Sequence, residues 1–488
     1  MIYVTEWYYE REKEIKKYLW PFLILFGLFL LALSSILRTN FAYYDDLGRV
    51  AQGYRGWSNF SRYLSSFLSV FLHGDPYLTD ISPWPQILAL GIMSIAGLLL
   101  LKIFTNKEKF SFLNLLSVIP LALNPYFLEC LSYKYDAPYM AFSVLVSIIP
   151  LLFAKKKGWL YALSIFLCTL MMCVTYQASS GIFLFLVLFY ALNSWLAKGN
   201  FKENLLFVIK SFFFYMLSLL VFKVIFMQDS DTYVTNAIFS LKDLVPGFIH
   251  NFKEYFHLFL TDFKKEWLFL IAFIIVSFVL GSLFSTKQNK VKTFFLTLLV
   301  LFGSVLLMLG VYPLFTVPLF SPRAMYGIGV LLTVIMLFVA NFKKNIFGKI
   351  FVIFLTYLFF AFTFTYGNAL YEQKRYTEYR MNLVISDLNE LEVAKTNNLK
   401  NVAISGNIGY SPVIQNMPDD YQMLKRLVPL TFGGENVWYI ANFFYYKDLP
   451  NMQEVLIDEN FPSDLPLVKE TMFHNIYAND EYIKIVLK

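Results

Sequence analysis

Long apolar runs separated by short polar stretches recur along most of the chain. An apolar run of about 20 residues is long enough to cross the hydrocarbon core of a membrane as an α-helix. The third run is the weakest, because Pro120 interrupts it and Asn124-Pro125 closes it. The eleven predicted spans are 18–37, 86–104, 111–128, 137–154, 159–177, 180–197, 205–227, 267–285, 293–311, 324–340 and 346–366. This pattern predicts a polytopic α-helical membrane protein with about eleven transmembrane helices.

The composition excludes an ordinary soluble protein and gives the predicted orientation. Of the 488 residues, 58% are hydrophobic and 15% are charged, whereas soluble domains carry roughly 25% charged residues. The net charge of +7 does not indicate a nucleic-acid partner, because the lysines collect in alternate short loops near 102–109, 155–157, 198–202, 287–292 and 343–349. Such alternation is the positive-inside bias of membrane proteins. It predicts a cytoplasmic N-terminus and, with an odd number of spans, an outer C-terminus.

Two further features of the sequence bear on processing and on metal binding. The charged stretch from Glu10 to Glu14 precedes the first span, and no small-residue cleavage site follows, so we interpret this span as an uncleaved anchor. Cys130, Cys168 and Cys173 lie in or beside spans without the spacing of a disulfide framework or a zinc site. They are interpreted as small apolar residues.

Two segments predicted to lie outside interrupt the succession of spans. The outer loop 38–85 contains a stretch, 56–71, with aromatic and aliphatic residues at helical spacing and small polar residues between them. The outer segment 228–266 shows a similar pattern from Ile249 to Lys265. Both patterns predict amphipathic helices at the membrane interface.

The last part of the chain, 367–488, contains no span. We therefore divide the chain into a membrane domain, 1–366, which carries the loop 38–85, and a small outer α+β domain, 367–488. A charged helix, a strand and two β-rich runs around a turn are predicted in the latter, at 373–380, 401–405, 468–477 and 482–487.

Two adjacent carboxylates, Asp45 and Asp46, follow the first span. A hydroxyl that attacks a sugar carbon needs a carboxylate to take its proton, and an adjacent acid can orient the acceptor or hold a divalent ion. A solvated helix cap explains the same pair, so spacing alone leaves both interpretations open. Aromatic neighbours on which a sugar can stack, among them Tyr44 and Trp57, favour the catalytic interpretation.

Arginines at the predicted outer surface are candidates for binding a phosphate. Arg49 and Arg62 lie in the same loop as the two acids, and Arg323 follows Ser321-Pro322 at the start of a span. A guanidinium pairs bidentately with phosphate, and a helix N-terminus favours anions. Salt bridges to the neighbouring acids, or snorkelling to lipid headgroups, explain these arginines equally well.

Other polar residues are predicted near the same surface. Glu129 and Asp136 flank a short turn between two spans, and Gln177 lies in the polar turn 175–181. All three are candidates for binding a sugar or an acceptor. Helix capping by Asp136 ahead of Pro138 and tight packing of small residues around Gln177 remain open alternatives.

The sequence also restricts the donor. It contains no glycine-rich phosphate loop and no Rossmann fingerprint, and nucleotide sugars are cytoplasmic whereas the two carboxylates are predicted to face outward. A polyprenyl-phosphate sugar is therefore the natural donor. No cofactor is indicated with certainty, and a divalent cation held by Asp45 and Asp46 stays open because no third acid is placed as a ligand.

Several short motifs, taken in order, resemble the type II serotype-converting glucosyltransferase family, the integral-membrane Gtr enzymes of phage and bacteria. They run from the first span to the start of the predicted outer domain. These motifs are Tyr44-Asp45-Asp46-Leu47-Gly48-Arg49, Gly56-Trp57, Asp80-Ile81-Ser82-Pro83, Asn124-Pro125-Tyr126, Thr175-Tyr176-Gln177-Ala178-Ser179 and Tyr366-Gly367-Asn368-Ala369.

The resemblance implies a fold, a reaction and a location. It implies a glycosyltransferase with a GT-C-like fold in the cytoplasmic membrane of a bacterium. The donor would be glucose, or a related hexose, on undecaprenyl phosphate. The acceptor would be a lipid-linked or surface polysaccharide, either O-antigen or a wall polymer, outside the membrane. By analogy with GT-C enzymes, the catalytic base would be Asp45 or Asp46.

Two other classes of function are weighed against this one. A flippase or transporter for a lipid-linked sugar usually has repeated halves and ionisable residues near the membrane midplane, and the predicted spans contain almost none. A polysaccharide polymerase or ligase is expected to carry paired arginines in a large late loop, whereas this chain has paired acids in its first loop.

Overall fold

The computed structural model describes residues 2–105, 110–156, 158–228, 237–391, 398–433, 449, 451–458 and 461–488, with side chains from residue 17 onward. Parts of three predicted loops, 106–109, 157 and 229–236, lie outside the described residues.

Most of the described chain is helical. In chain order the helices are α1 Ile2–Thr39, α2 Asp45–Gln52, α3 Tyr63–His73, α4 Trp84–Phe104, α5 Phe112–Leu116, α6 Pro120–Leu123, α7 Pro125–Ser132, α8 Ala137–Ile148, α9 Gly158–Cys173, α10 Ile182–Leu196, α11 Phe201–Val221, α12 Leu244–Asp262, α13 Lys265–Ser285, α14 Lys290–Leu307, α15 Gly327–Asn341, α16 Ile346–Glu390, α17 Pro412–Gln415 and α18 Gln422–Leu427. Short 3-10 turns occur at Trp57–Phe60, Ile149–Phe153, Gln177–Gly181, Tyr312–Leu314 and Pro322–Ala324, and a π turn, Phe222–Phe226, continues α11.

Among the described residues, seven helices are long and apolar enough to cross a membrane. They belong to α1 (from Lys17), α4, α10 with the turn before it, α11 with its π turn, α13, α14 and α16. Each coincides with a predicted span. The protein is thus a multi-pass helical membrane protein, as the apolar pattern predicts.

The predicted third span is a bent pair of helical segments. Phe112–Leu123 and Pro125–Ser132 meet at an angle of 59°. The bend lies at Asn124, whose side chain accepts a hydrogen bond from the backbone N–H of Phe127 at 3.1 Å and so caps α7. Pro125 then takes the first helical position, where its missing N–H costs nothing.

Three predicted spans correspond to shorter apolar helices. They are α8 with its 3-10 turn, α9 and α15, none longer than 17 residues, against the roughly 20 residues that cross the hydrocarbon core. The seven long helices, the bent pair and these three short helices together match the eleven predicted spans one for one. The total of eleven spans stays a prediction, because the short helices do not qualify by length.

Helices at the centre of the bundle are buried, whereas helices at its periphery expose apolar side chains. Every residue of α15 from Gly327 to Ala340 is buried, so this apolar helix lies inside the protein. In contrast, α11 exposes large apolar side chains such as Phe213 and Leu220. A helix whose outward face is apolar suits contact with lipid rather than water.

The two predicted interfacial helices are present with altered bounds. The predicted helix 56–71 is instead a 3-10 turn followed by α3, because Ser61 adopts a positive φ of 59° between them. In α3 the small Ser65 faces the protein, and Phe67 is exposed, as expected of a helix that turns an apolar face to the lipid. The second predicted helix is α12.

The C-terminal region is built on a five-stranded sheet among its described residues. The strands are β1 Lys400–Ser405, β2 Met452–Glu454, β3 Leu467–Glu470, β4 His474–Ala478 and β5 Tyr482–Leu487. Their order is β2-β1-β5-β4-β3, with β1 parallel to both neighbours and the other pairs antiparallel. The predicted run 468–477 thus consists of two strands, and the predicted helix 373–380 is the continuation of the membrane helix α16.

The C-terminal region packs on the bundle at two places. Val384 and Leu388 at the end of α16 share a buried cluster with Val402 and Ile485 of the sheet. Farther along the chain, α18 lies against α7 and α12. This second contact brings the C-terminal region to the loop 38–85, where the Tyr43 hydroxyl donates to the Leu427 carbonyl at 2.7 Å; we call this loop the first outer loop after its predicted side.

Candidate functional site

The first outer loop turns sharply into α2 at Tyr44. This tyrosine has φ 46° and ψ −105°, a left-handed conformation that costs a non-glycine residue free energy and is often found at functional sites. Asp45 and Asp46 then form the first turn of α2, where carboxylates interact favourably with the positive end of the helix dipole.

The two aspartates have opposite environments. Asp45 is exposed, whereas Asp46 is fully buried. One carboxylate oxygen of Asp46, Oδ2, accepts hydrogen bonds from the backbone N–H groups of Tyr43 at 3.0 Å and Lys134 at 2.9 Å. The other oxygen, Oδ1, is buried without a hydrogen-bond partner among the described residues.

Burial raises the pKa of Asp46 to about 7, although the two backbone N–H groups and Arg49 act in the opposite direction. The proton of this carboxyl therefore exchanges near neutral pH. Asp46 ties the start of α2 to the turn between α7 and α8 and does not reach solvent.

A buried ion pair also holds the loop that carries Asp46. Arg49 pairs with Asp136, and the indole N–H of Trp57 donates to the other oxygen of the same carboxylate. The guanidinium carbon also lies 4.5 Å from the centroid of the Trp57 ring. Burial alone would lower the pKa of Arg49, but Asp136, Asp45 and Asp46 together outweigh burial and raise it.

The structure thus brings three predicted site residues, Arg49, Trp57 and Asp136, into one cluster. All three are buried and engage one another. Their geometry is that of a clamp between the first outer loop and the turn after α7. The predicted roles of Arg49 in donor binding and of Trp57 and Asp136 in sugar binding remain predictions.

A second polar cluster joins α7 to the turn before α15. The buried carboxylate of Glu129 accepts hydrogen bonds from the Ser321 hydroxyl at 2.7 Å and from the backbone N–H of Arg323 at 2.6 Å. Arg323 lies in the 3-10 turn Pro322–Ala324, ahead of the first residue of α15. Its guanidinium donates to the Tyr133 hydroxyl and lies 5.0 Å from the centroid of that ring.

Tyrosines connect the two clusters. The Tyr44 ring stacks on Tyr133 with centroids 6.5 Å apart, and Tyr43 lies edge-on to both rings. Burial and the charge of Glu129 raise the pKa of Tyr44 to about 12. The residue before Asp45 is therefore in the electrostatic field of Glu129 and Arg323.

An open polar cavity of about 640 Å³ lies beside Tyr44. This volume falls within the range of roughly 300–1,000 Å³ typical of ligand sites. It is lined by Tyr44, Tyr410, Gln422, Lys425, Arg426, Val428 and Leu430. Six of these seven residues come from the C-terminal region, so the cavity forms where that region meets the first outer loop.

Arg426 is held at this cavity by a long-range contact. Its guanidinium pairs with Asp262 at the end of α12 and donates to the Phe320 carbonyl. The Tyr126 hydroxyl donates to the same carboxylate at 2.9 Å. Sequence reasoning missed Tyr410, Lys425 and Arg426, because no local motif marks them.

The remaining predicted residues are Arg62 and Gln177. Both lie beside Tyr176. The guanidinium carbon of Arg62 is 4.6 Å from the centroid of the Tyr176 ring, and the Tyr176 hydroxyl donates to the Arg323 carbonyl at 3.4 Å. The Gln177 side chain donates to the Phe60 carbonyl at 3.1 Å. Of the three predicted phosphate-binding arginines, Arg62 lies over the Tyr176 ring and Arg323 over the Tyr133 ring, while Arg49 belongs to the clamp.

Across the described ranges, no group of three or more His, Cys, Asp or Glu residues is arranged to hold a metal ion. Cys130, Cys168 and Cys173 are free and buried.

The fold and the site together define a multi-pass membrane protein with buried clusters of carboxylates and arginines, joined by tyrosines of which Tyr44 lines a cavity. The chain belongs to the glucosyl transferase GtrII family, whose model matches residues 33–334. This match confirms the resemblance given by the motifs. It includes all predicted site residues from Tyr44 to Arg323, and it identifies the chain as a member of a glycosyltransferase family.

A relative supports the same assignment. The chain is 23% identical over 432 residues to an uncharacterized 55.3 kDa protein in the gtrB 5′ region of Salmonella phage P22. The aligned part covers 85% of this chain and 87% of the phage protein. No solved structure matches the chain.

The clamp gives a stability prediction. Arg49→Met should leave the Asp136 carboxylate buried without its cation, at a cost of about 3–5 kcal/mol in the free energy of unfolding. Thermal or chemical unfolding of the purified protein in detergent measures this loss. Arg55→Met, the same change at a half-buried residue of the same loop, is the control. Adding Asp136→Asn to Arg49→Met should recover part of the loss, and equal stability of the Arg49 and Arg55 variants would argue against the clamp.

Asp46 gives a prediction for pH. Because its pKa of about 7 in the folded protein lies above the ordinary 3.8, the folded state binds the proton more tightly than the unfolded chain does. This contribution to stability is complete below pH 4 and is lost as the pH rises through 7. The slope of the free energy of unfolding against pH in this window should be smaller in Asp46→Asn than in the wild type. Asp75→Asn, at an exposed acid of the same loop, should keep the wild-type slope; a wild-type slope in Asp46→Asn would refute the assignment.

Proposed function

We propose that this protein transfers glucose, or a related hexose, from undecaprenyl phosphate to a surface polysaccharide. The acceptor is an O-antigen repeat or a wall polymer, and the reaction takes place at the outer face of the cytoplasmic membrane of a bacterium. The proposed architecture is GT-C-like, with eleven spans. Membership of the glucosyl transferase GtrII family supports the transfer of glucose.

The observation that carries this proposal is the division between the paired aspartates. Asp45 is exposed beside Tyr44, and Tyr44 lines the polar cavity. Asp46 is buried and bonded to backbone N–H groups. A general base must reach the proton that it removes. We therefore assign the base to Asp45 and a positioning role to Asp46.

The surroundings of the cavity suit a sugar. Tyr44 and Tyr410 offer aromatic surfaces to a sugar ring, and Lys425 and Arg426, which pair with Asp419 and Asp262, offer donors to its hydroxyl groups. Arg323 adds a guanidinium next to Tyr133. Positive groups near a departing phosphate stabilise the charge that develops in the transition state.

The proposed reaction is a single displacement. Asp45 accepts the proton of an acceptor hydroxyl as its oxygen forms a bond to C1 of the hexose. The bond between C1 and the phosphate oxygen breaks, and undecaprenyl phosphate leaves with the electron pair. A single displacement inverts C1, so a β-linked donor gives an α-linked product.

Contacts at the opposite end of the bundle support the proposed orientation. Lys17 and Lys102 both lie over the Tyr18 ring at the start of the apolar part of α1. The side chain of Gln288 donates to the Gly199 carbonyl at 3.2 Å, which joins two more lysine-rich loops. The other end of α1 leads to Tyr44. Lys17 and Lys102 therefore lie at the end of this span opposite to the candidate site, which is the arrangement that the positive-inside bias predicts.

The first prediction concerns the base. Asp45→Asn keeps the size of the side chain but removes its negative charge, so turnover should fall by about 10²- to 10⁴-fold. Transfer from undecaprenyl-phosphate glucose to a polysaccharide acceptor, measured with purified protein, tests this. Asp75→Asn is the matched control in the same loop. Wild-type turnover in Asp45→Asn, at normal membrane levels, would remove Asp45 from catalysis and direct the search to Glu129 or Asp136.

The second prediction concerns topology. A reporter enzyme that is active only outside the cytoplasm, fused after Lys488, should be active, because an odd number of spans separates it from a cytoplasmic N-terminus. The same reporter fused within the basic loop at 287–292 should be inactive. An inactive C-terminal fusion together with an active loop fusion would invert the proposed orientation.

A further inference from the structure

A second cavity lies beside the candidate site, between the first outer loop and the outer end of α11. Its volume is about 220 Å³. Its walls are largely apolar, with basic and amide side chains among them. The lining residues include Arg62, Gln177, Leu219, Phe222 and Lys223. We call this cavity the Arg62 groove.

None of the carboxylates among the described residues serves as a counterion for the two cations of the groove. Within the described part of the chain, no carboxylate pairs with Arg62 or Lys223. The Nε of Arg62 is buried, and none of the described residues provides it with a hydrogen-bond partner. Buried donors of a charged group are normally satisfied. An anionic ligand group would supply what Arg62 lacks.

The backbone around Lys223 is also unusual. Lys223 belongs to the π turn Phe222–Phe226 that ends α11. Such turns are rare and often occur at functional sites. This turn places an exposed lysine at the end of a membrane helix whose Leu219 and Phe222 line the groove.

The apolar lining continues onto the outside of the bundle. Phe213, Leu217, Leu220 and Val224 of α11 are exposed and recur at three- and four-residue spacing, which places them along one side of the helix. A ligand with a long apolar chain can therefore leave the groove along α11 and enter the lipid.

The groove is connected to the candidate site through a chain of contacts that begins at Tyr176. Tyr176 lies against the Arg62 guanidinium, and its hydroxyl reaches the Arg323 carbonyl. Arg323 in turn contacts Tyr133, which stacks on Tyr44 beside Asp45. The groove and the proposed base thus lie at the two ends of one series of packed side chains.

We propose that the Arg62 groove binds the lipid carrier of the donor, with the carrier phosphate at Arg62 and Lys223 and its first isoprene units against the apolar walls. The identity of this lipid rests on the proposed function; the requirement for an anion with one apolar chain rests on the groove itself. A single groove of this volume accommodates one hydrocarbon chain, whereas a phospholipid has two acyl chains.

Binding of undecaprenyl phosphate without sugar, measured with the purified full-length protein in detergent, tests this proposal. Arg62→Gln and Lys223→Gln each remove one charge-assisted contact and should weaken binding by about tenfold or more. Leu219→Trp, which fills the apolar wall, should also weaken binding. Lys210→Gln is the matched control, since Lys210 is an exposed lysine on the same helix and does not line the groove.

Two comparison lipids define the ligand. Undecaprenol, which lacks the phosphate, and phosphatidylglycerol, which carries two chains, should both bind at least tenfold more weakly than undecaprenyl phosphate. Inorganic phosphate alone should not compete at concentrations that leave the lipid bound. Equal binding of phosphatidylglycerol would show a general phospholipid site and overturn the proposal. Unfolding temperatures of all variants should match the wild type.

The outcomes separate this proposal from the proposed function. If the groove variants bind undecaprenyl phosphate like the wild type, while wild-type protein binds it and transfers glucose from it, the groove assignment is wrong and the function stands. If wild-type protein binds no undecaprenyl phosphate but transfers glucose from another donor, both the proposed donor and the groove assignment fail. Loss of binding that is confined to the Arg62, Lys223 and Leu219 variants supports both the groove assignment and the proposed donor.

Discussion

The ion pair between Arg49 and Asp136 is the contact on which the geometry of the candidate site depends. An eight-residue helix such as α2 is too short to be stable by itself in water, so tertiary contacts must fix its position. Arg49 and Trp57 bind the carboxylate of Asp136. Asp46 accepts a hydrogen bond from the backbone N–H of Lys134, which lies two residues before Asp136. All three contacts end on the same turn after α7. The orientation of Tyr44 and Asp45 is therefore set by a turn about 90 residues farther along the chain.

The same contacts explain why two identical neighbouring residues differ in chemistry. Successive residues of an α-helix project about 100° apart, so two adjacent aspartates can have different surroundings. Asp46 points into the protein, and burial raises its pKa to about 7. Asp45 remains exposed. The sequence predicts a functional pair, yet it contains nothing to decide which member faces inward, because that choice depends on the distant Lys134 N–H.

Much of the architecture could be predicted from the sequence because the membrane imposes a simple constraint. A spanning segment must pair its backbone N–H and C=O groups within a helix and present an apolar surface to the lipid. A long apolar run in the sequence indicates both properties. At Asn124-Pro125 the sequence predicts the close of the third apolar run, whereas the helix bends there and continues as α7. Long-range polar contacts leave no such trace. Asp262 and Arg426 are 164 positions apart, and neither belongs to a motif, so the return of the C-terminal region to the bundle could not be predicted.

This return matters because it provides most of the cavity beside Tyr44. The clamp and the cavity are built by different parts of the chain, the first within the family match at residues 33–334 and the second largely beyond it. If the cavity receives the acceptor and the Arg62 groove the carrier, the two substrates reach Asp45 from opposite sides of Tyr176 and Tyr133. The polar substrate then meets only the outer region, and the apolar carrier never leaves the membrane. Such a separation allows the acceptor-facing residues of the C-terminal region to vary without changing how the carrier phosphate is held.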